Sequence, residues 1–338
     1  MHTPLYSLVE AAVPAGPSVT LTRLHQLNFL LTGIFTTICN QIIFNHGGAD
    51  QSTFLLSLPT YLGMLLIIIF PEARQDLPVN VSHGSILGTS VVDVLANILC
   101  VYGLQLVGSG MFQVLYASVV CWAALMTKFF LAKRVSAWQW IGIMIVVVGL
   151  GTTSLGGHVH NKQVQGALGD EDTVHVFFGV AVTLLGCMGY ASSYVLGEHL
   201  LHSHPTLPPQ RLCVQVGSLG CMLLACYFTT HTIPKWEVLV TQSIERKGGH
   251  YGMISLLYVG LVCSSLLHNW AHFFLLRNTG AVSTGVLQSL RSIGVFVVSG
   301  VLFCEDNHMQ CMTTLKSVAC LLVSCGVLVY SWGSQHSG

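Results

Sequence analysis

The feature that most constrains this chain is a series of unbroken apolar runs, each about twenty residues long, separated by short polar clusters. As an α-helix, a run of that length crosses the hydrocarbon core of a bilayer, which is about 30 Å thick. Only helices and closed barrels satisfy their backbone polar groups within hydrocarbon. Barrel strands alternate over about ten residues, whereas these runs are continuous. The pattern therefore predicts membrane-spanning helices.

Composition agrees with an integral membrane protein. Hydrophobic residues make up 52% of the chain and charged residues 8%, against roughly 25% charged in soluble domains. So few charges cannot cover the surface of a water-soluble protein of 338 residues. The formal net charge is +0, which gives no reason to expect a nucleic acid as a partner. The lipid bilayer is the expected partner, and a homodimer is left open.

The apolar runs divide into ten spans, five on each side of a polar break. An odd number of spans per half makes the second half enter the membrane from the opposite side, so related halves form an inverted repeat. The predicted fold is an all-α integral membrane protein of ten transmembrane helices in two inverted five-helix repeats. The predicted divisions are an N-terminal tail 1–23, a first repeat 24–155, a linker 156–172, a second repeat 173–332 and a C-terminal tail 333–338.

Sequence similarity between the halves supports this repeat. Residues 91–115 can be placed on residues 266–290 without a gap, so that polar and glycine positions coincide. A polar position that recurs in both halves of an apolar chain is expected to face a shared site. The pairs that define this prediction are Gln113 with Gln288 and, one helical turn further, Tyr116 with Arg291.

Orientation and cysteine usage give weaker signals. With a cytosolic N-terminus, seven basic residues flank the spans on the cytosolic side and five on the other, a small bias in the expected direction. Most cysteines fall inside apolar spans, where Cys behaves as a small hydrophobe. Cys304 and Cys311 instead flank a loop, so a disulfide between them is left open.

Four short motifs stand near the fourth, fifth and ninth spans: Phe112-Gln113-x-Leu115, Phe130-Leu131-x-Lys133-Arg134, Gln139-Trp140-x-Gly142, and Val286-Leu287-x-Ser289-Leu290-Arg291. They resemble the drug/metabolite transporter superfamily and, within it, the solute carrier 35 family, whose F-type members have the most similar pattern. The resemblance implies ten helices in two inverted repeats, with a central cavity lined by the first, third, fourth, sixth, eighth and ninth helices.

The function implied is that of a secondary-active or exchange transporter. It would move a small polar organic solute by alternating access, with the substrate bound near Gln113 and Arg291. Two alternatives stay open: a nucleotide-sugar antiporter of an organelle membrane, and a protein of transporter fold with a signalling or scaffold role. The later spans lack the lysine patterns that nucleotide-sugar transporters use for phosphate. A Golgi or endolysosomal membrane is favoured over the plasma membrane.

The candidate site residues are polar side chains inside the spans. Because a charge near the midplane is costly, Arg291 is expected to face a cavity or an acidic partner. Asp93 and Glu198 are the acids that could pair with it, and interhelical hydrogen bonding is the alternative role for the uncharged positions. The predicted substrate-binding residues are Asp93, Asn97, Gln113, Tyr116, Tyr190, His268, Asn269, Gln288 and Arg291.

No reaction chemistry is indicated by the sequence. It contains neither a His-Glu-x-x-His zinc motif nor a phosphate-binding Gly-x-x-x-x-Gly-Lys-Ser/Thr motif. His268 and His272 have the i, i+4 spacing of metal ligands, but no third ligand can be named. We therefore predict a protein that is not an enzyme, with no catalytic residue, no cofactor and no bound metal.

Overall fold

Helices account for the regular structure of the protein. The computed structural model describes residues 17–50, 52–75, 81–130, 136–164, 170–305 and 311–335, and no strand occurs within these ranges. The α-helices are α1 (Val19–Asn45), α2 (Leu58–Leu66), α3 (His83–Tyr116), α4 (Val119–Phe130), α5 (Ala137–Val164), α6 (Asp170–Ser203), α7 (Pro209–Tyr227), α8 (Gln242–Arg246), α9 (Tyr251–Phe303) and α10 (Thr314–Gln335).

Six helical segments of the described chain are long and apolar enough to cross a membrane. Three shorter apolar helices accompany them: Leu55–Ile69, Ala137–Gly149 and Ser317–Gly333. The prediction of an all-α, multi-pass membrane protein is confirmed at this level. The six long segments are Val19–Asn45, His83–Ser109, Met111–Phe130, Phe177–Ser203, Pro209–Lys235 and Tyr251–Phe303.

Two long helices contain a break at a glycine. As a straight helix α9 would be about 80 Å long, well over twice the thickness of the hydrocarbon core. It is kinked at Gly280, where φ is 85° and ψ is 169°. Helix α3 has the same feature at Gly108, with φ 76° and ψ 160°. Only glycine adopts such angles readily. The predicted spans three (85–107) and four (111–131) meet around Gly108, and the predicted spans eight (251–276) and nine (281–303) meet around Gly280.

The fourth predicted span, residues 111–131, is not continuous. Helix α3 ends at Tyr116 and α4 begins at Val119. The Ser289 hydroxyl donates to the Ala117 carbonyl at 3.1 Å, while the Cys121 N–H donates to the Ser118 carbonyl at 2.9 Å. The carbonyl at the turn thus bonds to α9 instead of its own helix. Sequence periodicity carries no sign of this long-range bond.

Close helix contacts place the site-bearing elements. Helices α3 and α6 pack together, as do α1 and α9, and α5 and α10. A Cβ at Gly142 of α5 would lie 2.6 Å from the carbonyl oxygen of Gly326 in α10. On α6, a Cβ at Gly189 would lie 2.9 Å from the Cβ of Ala96 in α3. Small residues let the backbones approach in this way, which brings the polar face of α3 against α6.

The predicted linker 156–172 is helical wherever the structure describes it. Helix α5 continues to Val164 and α6 begins at Asp170. Residues 165–169 lie outside the described ranges, as do Lys133 and Arg134 of the motif that follows Phe130. The division into two repeats at this point stays a prediction.

Candidate functional site

A cavity of about 110 Å³ lies between α1, α2, α3, α6 and α9. Among its lining residues, Arg291 supplies the guanidinium and Asp93 the carboxylate. Amide, hydroxyl, imidazole and phenol groups line the rest of the wall. Such a concentration of polar groups inside an apolar helix bundle marks a candidate binding site.

The structure brings eight of the nine predicted site residues to this cavity. They come from three helices: α3, α6 and α9. The eight are Asp93, Asn97, Tyr116, Tyr190, His268, Asn269, Gln288 and Arg291.

Gln113 is the predicted residue that does not reach the cavity. Its side chain is completely buried and lies instead at a separate space of about 10 Å³, beside Ser289 and Ser292 of α9. Neither amide atom has a hydrogen-bond partner in the described part of the chain. The predicted meeting of Gln113 with Tyr116, Gln288 and Arg291 across one cavity is therefore not what the structure contains.

Arg291 is held by an aromatic ring and an amide. Its guanidinium carbon lies 5.3 Å from the centre of the Tyr116 ring, which is within the range of a cation–π contact. When the Gln288 amide turns its oxygen toward the guanidinium, that oxygen accepts from Nη2 at 2.9 Å and from Nε at 3.2 Å. The stem of Arg291 passes directly over Gly33 of α1, where a Cβ would lie 2.1 Å from Cδ.

No carboxylate in the described ranges forms an ion pair with Arg291. Both acids that could have paired with it are engaged elsewhere. Asp93 Oδ1 accepts from the Ser193 hydroxyl at 2.9 Å. Glu198 Oε2 accepts from the Ala281 backbone N–H at 2.8 Å. Arg291 is thus a cation at the cavity wall, 9% exposed, with neutral neighbours.

Asp93 and Asn97 occupy one face of α3, a single helical turn apart. Each is 5% exposed. The side-chain N–H of Asn97 donates to the Tyr190 hydroxyl of α6 at 2.9 Å, which orients the amide. Asp93 Oδ2 and Asn97 Oδ1 have no hydrogen-bond partner among the residues described. Both residues line the cavity, and these two acceptor oxygens lie buried within its wall.

The two histidines of α9 contact aromatic and hydroxyl groups. His268 Nδ1 lies 3.1 Å from the Thr32 hydroxyl and 3.1 Å from the Phe29 carbonyl oxygen, both on α1. His272 packs against the Tyr194 ring at 4.6 Å between centroids. The described residues contain no group of three or more His, Cys, Asp or Glu that could hold a metal ion. His268 instead ties α1 to α9.

Several lining residues were not predicted from sequence. The most informative come from α1, whose polar residues interrupt an otherwise apolar run and could have been found by that signal. Others are a second tyrosine and a serine on helices that were already implicated. The additional lining residues that carry polar groups are Thr36, Thr37, Asn40, Thr60, Tyr194, Ser265 and His272.

Part of the first half of the chain resembles a known transporter family. Residues 27–155 match the EamA-like transporter family. One solved crystal structure of another protein has a TM-score of 0.56 and 14% sequence identity, and the match covers 94% of this chain and 99% of that one. That likeness shows a shared fold. The long apolar helices support a multi-pass membrane protein, and residues 27–155 are similar to a transporter family.

Curated proteins that are similar to this chain include members of the solute carrier 35 family. Solute carrier family 35 member F6 of Homo sapiens is 22% identical over 251 residues, and the match covers 72% of this chain and 65% of the relative. The Rattus norvegicus protein of the same name is 22% identical over 253 residues, covering 72% and 63%. An uncharacterized protein of Schizosaccharomyces pombe is 20% identical over 252 residues, covering 71% and 72%.

These matches confirm the resemblance to the solute carrier 35 family and to its F-type members. The chain spans about 65% of the length of the mammalian relatives that it matches.

Proposed function

We propose that this chain is a secondary-active or exchange transporter that moves a small polar organic solute across a membrane by alternating access. The observation that carries the proposal is Arg291, a buried guanidinium at the cavity wall without an ion-pair partner in the described chain. Charges within membrane-spanning segments are costly and mark substrate or ion pathways. An anionic group of the solute is the partner that best fits this arrangement.

The size of the cavity bears on the class of solute. Its volume of about 110 Å³ is well below the roughly 300–1,000 Å³ of sites that enclose drug-sized ligands. A nucleotide sugar falls in the larger class. The cavity therefore favours a small solute over the alternative of a nucleotide-sugar antiporter. An organelle membrane, Golgi or endolysosomal, is part of the proposal and rests on the family resemblance.

The architecture that we propose is ten crossings in two inverted five-helix repeats, over residues 24–155 and 173–332. The six long segments and three shorter apolar helices supply ten crossings when α9 crosses twice, once on each side of Gly280. Alternating access then follows as rocking of one repeat against the other around the site.

A matched pair of helix caps supports the repeat. The backbone N–H of Ser109, just after the first kink, donates to Gln41 Oε1 of α1 at 3.1 Å. The backbone N–H of Ala281, just after the second kink, donates to Glu198 Oε2 of α6 at 2.8 Å. In each proposed repeat, the first helix thus caps the segment that follows the kink. Unrelated halves would have no reason to share this device.

The transport proposal is tested with Arg291→Gln, which removes the charge but keeps a polar side chain. Small anionic solutes are first screened for the rise in melting temperature that a ligand of the folded state produces. Uptake of the best ligand into proteoliposomes is then measured. We expect Arg291→Gln to reduce uptake at least about tenfold, because hydrogen bonds to charged groups contribute about 1.5–3 kcal/mol.

The matched control for this test is Arg246→Gln on the exposed end of α8, which should transport normally. Equal uptake by the two variants would remove Arg291 from the binding site.

A further inference from the structure

A second cavity, larger than the polar one, lies near the start of α9. Its volume is about 430 Å³, which is within the range of roughly 300–1,000 Å³ for pockets that enclose drug-sized ligands. Helix α2 separates the two cavities. Thr60 and Met64 line the polar cavity, whereas Leu58 and Leu62 of the same helix line the larger one. Among the described residues the two cavities share no lining residue, so the proposed transport site does not account for this space.

Three helical faces form the wall of this second cavity, which is mainly apolar. On α9 the lining residues recur at intervals of three and four, so they share one face. The same spacing occurs on α2 and the turn before it. The third face belongs to the irregular helical segment that continues α7, through Trp236, Val240 and Ile244. The lining residues of α9 are Tyr251, Ile254, Ser255, Tyr258, Val259 and Val262.

Close backbone contacts hold the elements around the cavity in place. Toward the middle of the bundle, α2 touches α9, since a Cβ at Gly63 would lie 2.6 Å from the backbone nitrogen of Leu266. Nearer the start of α9, the Tyr258 hydroxyl donates to the carbonyl oxygen of Gly48 at 3.1 Å, which ties α9 to the turn after α1. The wall is therefore fixed by packing on both sides of the cavity.

The cavity faces the bilayer. It extends along α9 from Tyr251 to Val262, which at 1.5 Å per residue is about 16 Å. That length is roughly half of the hydrocarbon thickness of about 30 Å. Val259 is 60% exposed and Tyr251 is 50% exposed, and both belong to a segment that is apolar enough to cross a membrane. Exposed side chains on such a segment contact lipid, so the ligand that best fits the cavity is a component of the bilayer.

The polar groups of the wall are neutral and lie toward one end. None of the described residues that line the cavity is charged. The hydroxyls of Tyr251 and Ser255 and the indole N–H of Trp236 belong to the wall near the start of α9, where aromatic residues typically mark the membrane surface. Each of these groups can form a hydrogen bond with a hydroxyl group of a ligand.

Charges next to the wall do not favour an anionic headgroup. Residues 235–247 include three basic and two acidic side chains. The ammonium group of Lys247 donates to the carbonyl oxygen of Phe44 at 2.9 Å and lies 4.5 Å from the centre of the Phe44 ring, so it is already engaged. The polar end of the cavity therefore suits a hydroxyl better than a phosphate.

We propose that this cavity binds a sterol, with the ring system between α2 and α9 and the hydroxyl beside Tyr251 and Ser255. A rigid ring system loses less conformational entropy on binding than a flexible acyl chain, and the aromatic and branched side chains of the wall give it a large apolar contact area. The sterol would support the face of α2 that lies opposite the polar cavity. This inference goes beyond the proposed transport function and does not depend on it.

The test uses a cholesterol analogue that carries a photoreactive diazirine on its ring system. The full chain is reconstituted in phosphatidylcholine nanodiscs, irradiated with the analogue, and digested so that labelled peptides can be identified by mass spectrometry. We expect labels within residues 236–262. A tenfold excess of cholesterol should reduce this labelling at least about fivefold. The 3α-hydroxy epimer of cholesterol should compete less well, because its hydroxyl points in a different direction.

Two variants locate the site. Val259→Trp fills the cavity from its exposed rim and should reduce labelling at least about fivefold. Ser255→Ala removes one hydroxyl and should weaken competition by cholesterol about two- to tenfold. The matched control is Leu256→Trp, which adds the same ring at a neighbouring position that is 71% exposed and outside the cavity, and it should label like the wild type. An unchanged melting temperature of Val259→Trp in sterol-free detergent separates loss of the site from loss of the fold.

Three outcomes would overturn the proposal. Undiminished labelling of residues 236–262 in Val259→Trp would place the sterol elsewhere. Equal competition by cholesterol and its epimer would show that the hydroxyl is not recognised. Labels spread evenly over the lipid-facing helices would show that the analogue only partitions into the bilayer. None of these results would affect the transport proposal, because the variants leave the polar cavity unchanged.

Discussion

At the scale of single residues, the site depends on a charge that its surroundings accommodate without an ion pair. Arg291 gains a cation–π contact from Tyr116 and amide hydrogen bonds from Gln288. It also needs space, which the missing side chain of Gly33 provides. A solvent-exposed ion pair contributes little to stability. A charge in a cavity that has no ion-pair partner remains available for electrostatic interaction with a bound ligand. The residue beneath Arg291 is therefore as important as its polar neighbours.

The prediction at this scale is that Gly33→Ala moves Arg291. The new Cβ would lie 2.1 Å from Arg291 Cδ and 3.0 Å from His268 Cε1, so the flexible arginine must shift. Loss of its hydrogen bonds should weaken the binding of an anionic solute about tenfold to a hundredfold. Ligand titration by thermal shift measures the affinity.

Gly88→Ala is the control for this variant, since Gly88 is an exposed helical glycine whose Cβ would meet nothing within 4 Å. Equal affinities of the two variants for the anion would show that Gly33 does not position Arg291.

Most of these residues could be predicted from the sequence, because a polar group is costly to bury in an apolar span. Arg291 and Asp93 are conspicuous because a charge in an apolar span needs a cavity or a partner. Asn40 was not among the predicted site residues, because a neutral amide within an apolar span also fits interhelical hydrogen bonding. Gln113 was misplaced because a buried amide that faces a packed interface has the same sequence signature as one that faces a cavity.

At the scale of helices, the register between the two halves explains the position of Gln113. The kink glycines, Gly108 and Gly280, are 172 residues apart. The alignment of residues 91–115 with residues 266–290 instead corresponds to a separation of 175 residues. In the register of the kinks, Gln288 corresponds to Tyr116, and both line the cavity. Gln113 corresponds to Gly285. A shift of three residues stays on one helical face, so apolar periodicity could not distinguish the two alignments.

The prediction for the helices concerns the cap after the second kink. Glu198→Ala removes the acceptor for the Ala281 N–H and should destabilise the protein by about 0.5–2 kcal/mol, as the loss of an N-cap does. Glu198→Gln keeps an acceptor oxygen and should retain most of the stability, since Gln41 performs the same task in the first half. Denaturant unfolding in detergent measures both.

A Glu198→Gln variant as unstable as Glu198→Ala would mean that the charge, and not the hydrogen bond, is required. Such a result would mean that the two caps depend on different interactions. It would weaken the argument that they are the same structural feature repeated in both halves.

At the scale of the whole molecule, the sequence predicted the long helical segments and the limits between them. It did not predict interruptions within a single apolar span. Long apolar runs predicted the long segments, and the limits of the predicted spans fall at Gly108 and Gly280, where the two kinks occur. The second predicted span, residues 53–70, is instead a short α2 flanked by 3₁₀ turns at Leu55–Ser57 and Ile67–Ile69. Nothing local distinguishes a buried broken segment from a regular span, because both are uniformly apolar. Tertiary contacts decide between them.

The last prediction concerns which side of the membrane each end of the bundle faces. A disulfide joins Cys304 and Cys311 between the end of α9 and the start of α10. Disulfides persist in oxidising compartments and are rare in the cytosol. With ten crossings and a cytosolic N-terminus, the connection after the ninth crossing lies on the non-cytosolic side, so the disulfide and the charge bias agree on one orientation.

Sealed organelle vesicles with the cytosolic face outward test this orientation. A membrane-impermeant reductant and a maleimide reagent should leave Cys304 and Cys311 unlabelled until detergent opens the vesicles, and should then label both. The double variant Cys304→Ser/Cys311→Ser serves as the control for labelling elsewhere. Labelling in sealed vesicles without reductant would show free thiols on the cytosolic side. It would reverse the proposed orientation, and with it the side of the membrane to which each face of the cavity opens.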